Sequence, residues 1–392
     1  MRLVLAAIFI LLAGCSPLRI HEARLVLIDL AAGSHDSALK RSTPAPNRAT
    51  IAYEVDGRAR QGDLYRPGES HGAAAVVLVP GAARTGKDDP RLVGLAETLA
   101  RARFSVLVPE IATLRELRVG PGDADHVADA VRNLDAIGSA PIGIVAISYA
   151  VAPAVIAALR EDVNPRLDFI VGVGGYYDLE AVVTFFTTGF YRDGAVAPWR
   201  WRAPNAYGKW VFVRGNADRL DDSGDRVLLA AIAERKLEDL DAPVEDLTAK
   251  LGPQGRSVHD LVQNRDPERV PGLIARLPAG IRSDMAALDL SRLDLANLRA
   301  RLHLVHGRDD AIIPVTESRA LARAAGPRAD LTEVDSLAHA DLGAAGIRDA
   351  AALLRVVYRV LAERDQPPRR LGGGRRAGDR LELAARAASG QW

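Results

Sequence analysis

The chain has 392 residues, 48% hydrophobic and 26% charged, with 51 Lys and Arg against 50 Asp and Glu. That balance argues against nucleic acid or an acidic polymer as the main partner, and the length suits one large α/β domain with an insertion or two ordinary domains. Cys15 is the only cysteine, which excludes a disulfide within the chain.

Arg2 precedes an apolar run from Leu3 to Ala13. A membrane-spanning helix needs about 20 apolar residues, so this run is too short to cross a bilayer and fits the apolar region of a secretory signal. It ends in Leu12-Ala13-Gly14-Cys15, which resembles the lipobox of bacterial lipoproteins. The resemblance implies a signal peptide over residues 1–14, cleavage before Cys15 and a diacylglycerol on its thiol. It places the protein in a bacterial cell envelope, facing the periplasm. Ser16 stands where an aspartate typically retains such proteins in the inner membrane, so the outer membrane is favoured. An ordinary signal with a chance cysteine is the alternative.

Residues 15–49 then read as a tether and N-terminal segment. Within it Leu25–Ile28 is expected as a short strand and 33–47 as a polar, proline-containing link. Thr50–Val55 and Arg58–Tyr65 flank Asp56-Gly57, a pair that tolerates the positive φ of a tight hairpin. From residue 74 the rhythm becomes strand, loop, helix. Strands are expected at Ala74–Val79, Phe104–Val108, Ile142–Ile147 and Leu167–Val173, with helices at Leu92–Ala102, Ala124–Ile137 and Val151–Leu159. The run Ile142–Ile147 is apolar on both faces, as a central parallel strand covered on each side must be.

The rhythm stops over residues 176–297, read as a mostly helical cap inserted between a first core part, 50–175, and a second, 298–363. More than half of the chain's aromatics fall between 176 and 212, including Phe185, Phe186, Trp199, Trp201 and Trp210. Such a surplus suits the lining of an apolar pocket or the packing of the cap onto the body. The second core part carries a strand at Leu302–His306, a helix at Thr316–Ala325, a strand at Asp330–Val334 and a helix at Ala344–Leu361. Alternating strands and helices predict a doubly wound, mostly parallel α/β sheet. Residues 364–392, rich in Pro, Gly and Arg, are expected to be disordered.

Ala146-Ile-Ser-Tyr-Ala150 follows the apolar strand directly and precedes an apolar helix, the context of a nucleophile elbow with Ser148 at its turn. Alanines stand at both positions where glycine is usual, since the turn admits only small flanks. The stretch Leu304-Val-His-Gly-Arg-Asp-Asp-Ala-Ile-Ile-Pro314 resembles the acid-bearing loop after the seventh core strand of α/β-hydrolases. Residues 50–363 share the resemblance, with the cap as an insertion. It implies the α/β-hydrolase fold and a triad in the order Ser, acid, His.

Counting from Gly307, the family's acid falls on Asp310, with Asp309 as a substitute or hydrogen-bonding neighbour. His339, in Ser336-Leu-Ala-His-Ala-Asp341, is the one histidine C-terminal to Asp310 and takes the place of the base. Ser148 would attack an acyl carbon, His339 would take its proton, and Asp310 would orient the imidazole. The oxyanion would meet the backbone N–H groups of Tyr149 and of Ala82, the latter in the loop Pro80-Gly81-Ala82.

His303 and His306, on alternate faces of a core strand, read as structural. The remaining histidines show no metal spacing, no phosphate loop is present, and no cofactor is expected. Gly86-Lys-Asp-Asp-Pro-Arg91 through Val106–Glu110 looks like the branch near dienelactone hydrolases and acyl-peptidases, although the former use cysteine where this chain has Ser148. The expected activity is hydrolysis of a carboxylic ester or related acyl bond in a small molecule, carboxylesterase-like. An acyl-peptidase, or a lipid-anchored binding protein without turnover, is the alternative.

Overall fold

The computed structural model describes residues 16–68, 72–138, 141–338, 341–342 and 346–367. The expectations for the signal over 1–14, for Cys15, for His339 and for the tail beyond 367 lie outside the described residues.

The first element corrects an expectation. Leu25–Ile28 is not a strand but part of helix α1, Pro17–Ala32, with Ser16 as N-cap and Pro17 in the first turn. Its buried residues, Ala23, Val26 and Asp29, recur every three positions, which is a helical face. A run of four apolar residues cannot by itself distinguish strand from helix. The segment is also no free tether from Ser16 onward. The Ser16 N–H donates to the Tyr358 hydroxyl at 3.1 Å, Arg19 pairs with Asp365 at 3.0 Å, and buried Arg364 donates to Glu22 and to the Ala102 carbonyl. Asp29 accepts from Thr98 at 2.6 Å and from Ser37, which caps a short helix α2, Ala38–Ser42.

Next comes the expected hairpin, β1 (Asn47–Val55) and β2 (Arg58–Arg66), turning through Asp56 and Gly57, both at positive φ. The chain continues through β3 (Ala74–Val79), α3 (Pro90–Arg101), β4 (Phe104–Pro109), α4 (Ala112–Arg115), α5 (Asp123–Ala136), β5 (Ile142–Ile147), α6 (Val151–Ala158) and β6 (Phe169–Val173). Between β6 and the next long strand lie α7 (Leu179–Thr188), a two-stranded ribbon of β7 (Phe190–Tyr191) and β8 (Arg200–Trp201), α8 (Ala206–Asn216) and α9 (Ser223–Glu238). Four more helices follow there: α10 (Glu245–Thr248), α11 (Pro253–Gln263), α12 (Val270–Ala275) and α13 (Ala279–Leu288). The chain then returns through β9 (Arg301–Gly307), α14 (Val315–Ala325), β10 (Ala329–Val334), the short strands β11 (Leu337–Ala338) and β12 (Asp341–Leu342), and α15 (Ile347–Arg364).

Among the described residues the main sheet has eight strands in the order β1-β2-β4-β3-β5-β6-β9-β10. β1 and β2 run antiparallel to their neighbours, and the other pairs are parallel. Alternate strand residues face opposite layers. Val76, Leu78, Val106 and Val145 pack with α1, α3 and α15, whereas Ala75, Val77, Leu107 and Ile144 pack with α5, α6 and the inserted helices. Burial on both faces is why these strands read as unbroken apolar runs. Within the insert, buried Asp225 of α9 accepts from Gly252 N at 2.6 Å and Gly255 N at 2.7 Å, tying α9 to the start of α11.

Candidate active site

β3 and β5 are adjacent, yet the chain leaves β3 toward β4 on one side and β5 toward β6 on the other. In open α/β sheets the crevice at the carboxyl ends of such strands is where ligands bind. Ser148 sits there, one residue after β5, where the chain turns into a single 3₁₀ turn and then α6. Its φ is +60°, a left-handed conformation that costs an L-residue about 1–2 kcal/mol. Ala146 and Ala150 on either side are fully buried, so side chains as small as alanine satisfy the steric demand that glycine usually meets.

The loop after β3 closes on this turn. Val79 pairs with Ala146, which sets the two strand ends side by side. A Cβ added to Gly81 would lie 3.4 Å from the Ile147 carbonyl oxygen and 3.5 Å from the Ser148 Cβ. The backbone leading into Ala82 therefore packs against the serine, and Ala82 and Tyr149 follow the two segments that meet there.

Asp310 lies beyond β9 with no exposed surface. Its Oδ1 accepts the N–H groups of Ile312 at 2.7 Å and Ile313 at 3.0 Å, and its Oδ2 lies 3.3 Å from Nε2 of buried His306. His306 Nε2 is also 2.8 Å from the Ile313 carbonyl and its Nδ1 2.7 Å from the Ser318 hydroxyl. A carbonyl only accepts, so Nε2 carries a proton. His306 is thus structural, in keeping with its sequence position, and it also steadies the carboxyl of Asp310. Asp309 has a different environment: its side chain is 80% exposed and paired with Arg202 at 2.6 Å. His303 joins β9 to its neighbours, with Nδ1 2.7 Å from Asp330 and Nε2 3.2 Å from Glu363.

His339 is outside the described residues; the segment before it crosses the end of β9 at Gly307. A Cβ on Gly307 would meet the Leu337 carbonyl oxygen at 1.9 Å, so only glycine lets that segment cross the end of β9. Asp349 accepts from the N–H groups of Asp335 at 2.8 Å and Ser336 at 2.6 Å, which pins the same segment from the other side.

Two features have no signal in the sequence. Glu317 on α14 is buried, and its Oε2 accepts the N–H groups of Tyr177 at 3.1 Å and Asp178 at 2.8 Å, where the chain leaves β6 for α7. Burial, with Asp178 and Asp289 nearby, pushes its carboxyl up to about 8. The second is an apolar cavity of about 60 Å³ beside the elbow, lined by Tyr149, Tyr176, Phe186, Gly208, Phe212 and Met285, among others. The rings of Tyr149 and Tyr176 lie 5.9 Å apart, and burial followed by the Asp310 charge holds the Tyr149 phenol above its ordinary value, hence protonated. The aromatic surplus thus serves both expected purposes. Phe186 and Phe212 line the cavity, while Phe185 packs edge-on against Tyr191 and Phe190 against Trp199.

Among the described residues no group of three or more His, Cys, Asp or Glu could hold a metal ion, and no helix is long and apolar enough to cross a membrane. The chain has the α/β-hydrolase fold, and Ser148 and Asp310 follow its fifth and seventh core strands. No family model and no curated protein matches the sequence. Among solved structures, a Legionella pneumophila protein described as a hydrolase aligns at TM-score 0.54 and 12% identity, over 89% of this chain and 96% of that one. A rice cell wall degrading esterase from Xanthomonas oryzae aligns at TM-score 0.47 and 15% identity, covering 84% and 93% of the two chains. A hyperthermophilic esterase from Pyrobaculum calidifontis aligns at TM-score 0.43 and 13% identity, covering 88% and 92%. Identities this low speak to fold alone.

Proposed function

We propose that this chain is a serine hydrolase that cleaves a carboxylic ester, with Ser148 as nucleophile, His339 as base and Asp310 as the orienting acid. The observation that carries the reading is Ser148 at φ +60° on the switch-point turn, with the Gly81 loop packed against it. A strained backbone at a non-glycine residue persists only where its surroundings hold it, and such positions cluster at functional sites. Burial of Asp310, with two backbone donors on one oxygen, favours it over Asp309 as the acid.

In this reading Ser148 Oγ attacks the carbonyl carbon as its proton passes to His339. Asp310 holds the imidazole in the right tautomer and favours its charged form. The oxyanion receives the N–H groups of Tyr149 and Ala82; one such donor contributes roughly 3–4 kcal/mol to the transition state. The C–O bond to the alcohol then breaks, the alcohol leaving with the proton from His339. A water molecule, deprotonated by His339, frees the carboxylic acid and restores Ser148. A fluorophosphonate should label Ser148 and fail on Ser148→Ala; labelling that persists in the variant, or maps elsewhere, would overturn the assignment.

We also propose that Cys15 carries a lipid anchor in a bacterial envelope, the outer membrane favoured over the inner. The apolar run Leu3–Ala13 and the Leu-Ala-Gly-Cys ending support it. With Ser16 fastened to Tyr358, such an anchor has little slack and holds the body close to the bilayer. One acyl chain binds a bilayer only marginally, so the two or three chains of a lipoprotein should resist a salt wash. Intact-mass analysis of the washed membrane fraction tests it: a mature N-terminus other than acylated Cys15 would leave a secreted hydrolase.

A further inference from the structure

Helix α1 carries an outward face that the rest of the described chain leaves uncovered. Pro17, Ile20, His21, Arg24, Ile28 and Ala31 recur at helical spacing, and all six are exposed. Single exposed apolar residues are ordinary on a protein surface. Here they concentrate: of nine large hydrophobics exposed among the described residues, Leu18, Ile20 and Ile28 lie on this one helix, Leu18 at 82%. The acids of α1 point the other way. Glu22 pairs with buried Arg364 at 2.8 Å, and buried Asp29 accepts from Thr98 and Ser37. The outward face thus keeps Arg24 and His21 and no carboxylate.

We propose that this face of α1 is a docking surface for a phospholipid bilayer containing anionic lipid, with the helix lying flat on it. The inference rests on the acylation of Cys15. Consecutive Cα atoms are about 3.8 Å apart, so acyl chains on Cys15 would enter the bilayer one residue before Ser16, the N-cap that Tyr358 holds against the body. The first surface to meet lipid is then α1, with Leu18 at its start. Its 16 residues, at about 1.5 Å each, give the face a length of roughly 24 Å. A helix face that mixes apolar and basic groups suits the headgroup boundary, where a helix lies in the plane and does not cross it. The other end of the chain adds charge at the same place. Arg19 pairs with Asp365, and three residues further on begin residues 368–392, which hold six arginines against Asp379 and Glu382. Arginines that start beside the anchor are drawn to the negative surface of an anionic bilayer. Docking of this kind turns the α1 layer toward the membrane and leaves the inserted helices on the opposite face of the sheet.

The test uses the mature, acylated chain in vesicles of phosphatidylethanolamine and phosphatidylglycerol. Cys15 is the only cysteine and lipid takes its thiol, so Ile20→Cys, Ile28→Cys and Val227→Cys each accept a single nitroxide spin label. Val227, exposed on α9, reports the far side of the sheet. Substitution at exposed positions leaves the fold intact, and unchanged thermal melts check it. Collisions of each label are measured with oxygen, which concentrates in lipid, and with a water-soluble nickel chelate. The oxygen-to-nickel ratio at positions 20 and 28 should exceed that at 227 by about fivefold or more, as burial at the headgroup boundary requires. Equal ratios at all three positions overturn the docking surface. Low collision rates with both reagents at 20 and 28 also overturn it, and give the face to a protein occupant, either a second copy or the chain's own C-terminal residues. Intact mass of each sample separates the outcomes: acylated Cys15 with equal ratios leaves the anchor standing, whereas unacylated Cys15 removes anchor and docking surface together.

Discussion

At φ +60° the backbone of Ser148 is strained, and Ser148→Gly relieves that strain while Ser148→Ala leaves it in place. Both variants lose the hydroxyl and whatever it binds, so the comparison between them isolates the backbone. Glycine recovers about 1–2 kcal/mol of left-handed strain. Its greater freedom in the unfolded chain takes back about 0.4–1 kcal/mol. The glycine variant should therefore be more stable than the alanine variant by roughly 0.5–1 kcal/mol. For a protein of this size that corresponds to a rise in Tm of about 1 °C. Urea unfolding measures the free energy directly, and thermal melts give the shift, each with the two variants side by side. Neither variant should react with a fluorophosphonate. A glycine variant no more stable than the alanine variant would mean that the turn is not strained and that the main argument for a nucleophile elbow fails.

The acid loop offers a sharper contrast in activity. Asp310→Asn should lower kcat by up to about 10⁴-fold, as expected when the histidine tautomer is lost, while Asp309→Asn, which breaks only an exposed pair with Arg202, should stay within about twofold; equal losses in steady-state assays would place the acid elsewhere, Asp341 being the next candidate. Glu317 has its folded value raised from 4.5 to about 8, so its contribution to stability is full below pH 4.5 and is lost as pH rises through 8. Wild-type Tm should therefore fall between pH 5 and 9, and Glu317→Gln, whose carbonyl can still accept from Tyr177 and Asp178, should flatten that slope; superimposable pH profiles would refute the assignment. The Tyr149 hydroxyl is buried with no hydrogen-bond partner among the described residues. Because an unpaired buried polar group costs about 1–3 kcal/mol, Tyr149→Phe should hold or raise stability and keep turnover, the oxyanion using its backbone N–H; a large loss of kcat would give the phenol itself a role.

Much of the core is legible in the amino-acid sequence because its strands are buried on both faces. The apolar runs Ala74–Val79 and Ile142–Ile147 coincide with β3 and β5 to the residue, and the hairpin at Asp56-Gly57 announces itself through turn chemistry. Ser148 is marked as a candidate by its place between an apolar strand and an apolar helix, and Asp310 by the resemblance of its loop, from Gly307 to Pro314, to the acid-bearing loop of α/β-hydrolases.

Where local pattern admits two answers, only the tertiary structure chooses. Leu25–Ile28 is equally apolar as strand or helix, and α3 and α15 select the helix by offering partners to Ala23, Val26 and Asp29. Asp309 and Asp310 are chemically identical in the sequence; their difference is that one side chain faces water and Arg202 and the other is enclosed with two backbone donors. The contacts of Glu317 and His306 leave no trace in the sequence, because they depend on a segment more than a hundred residues away or on a loop that folds back. Residue type and spacing along the chain determine which chemistry is available, since side-chain reactivity and local conformational preference travel with the residue. Burial, the spacing of groups across the fold and the shape of the space between them belong to long-range packing, and those decide which of the available residues meet.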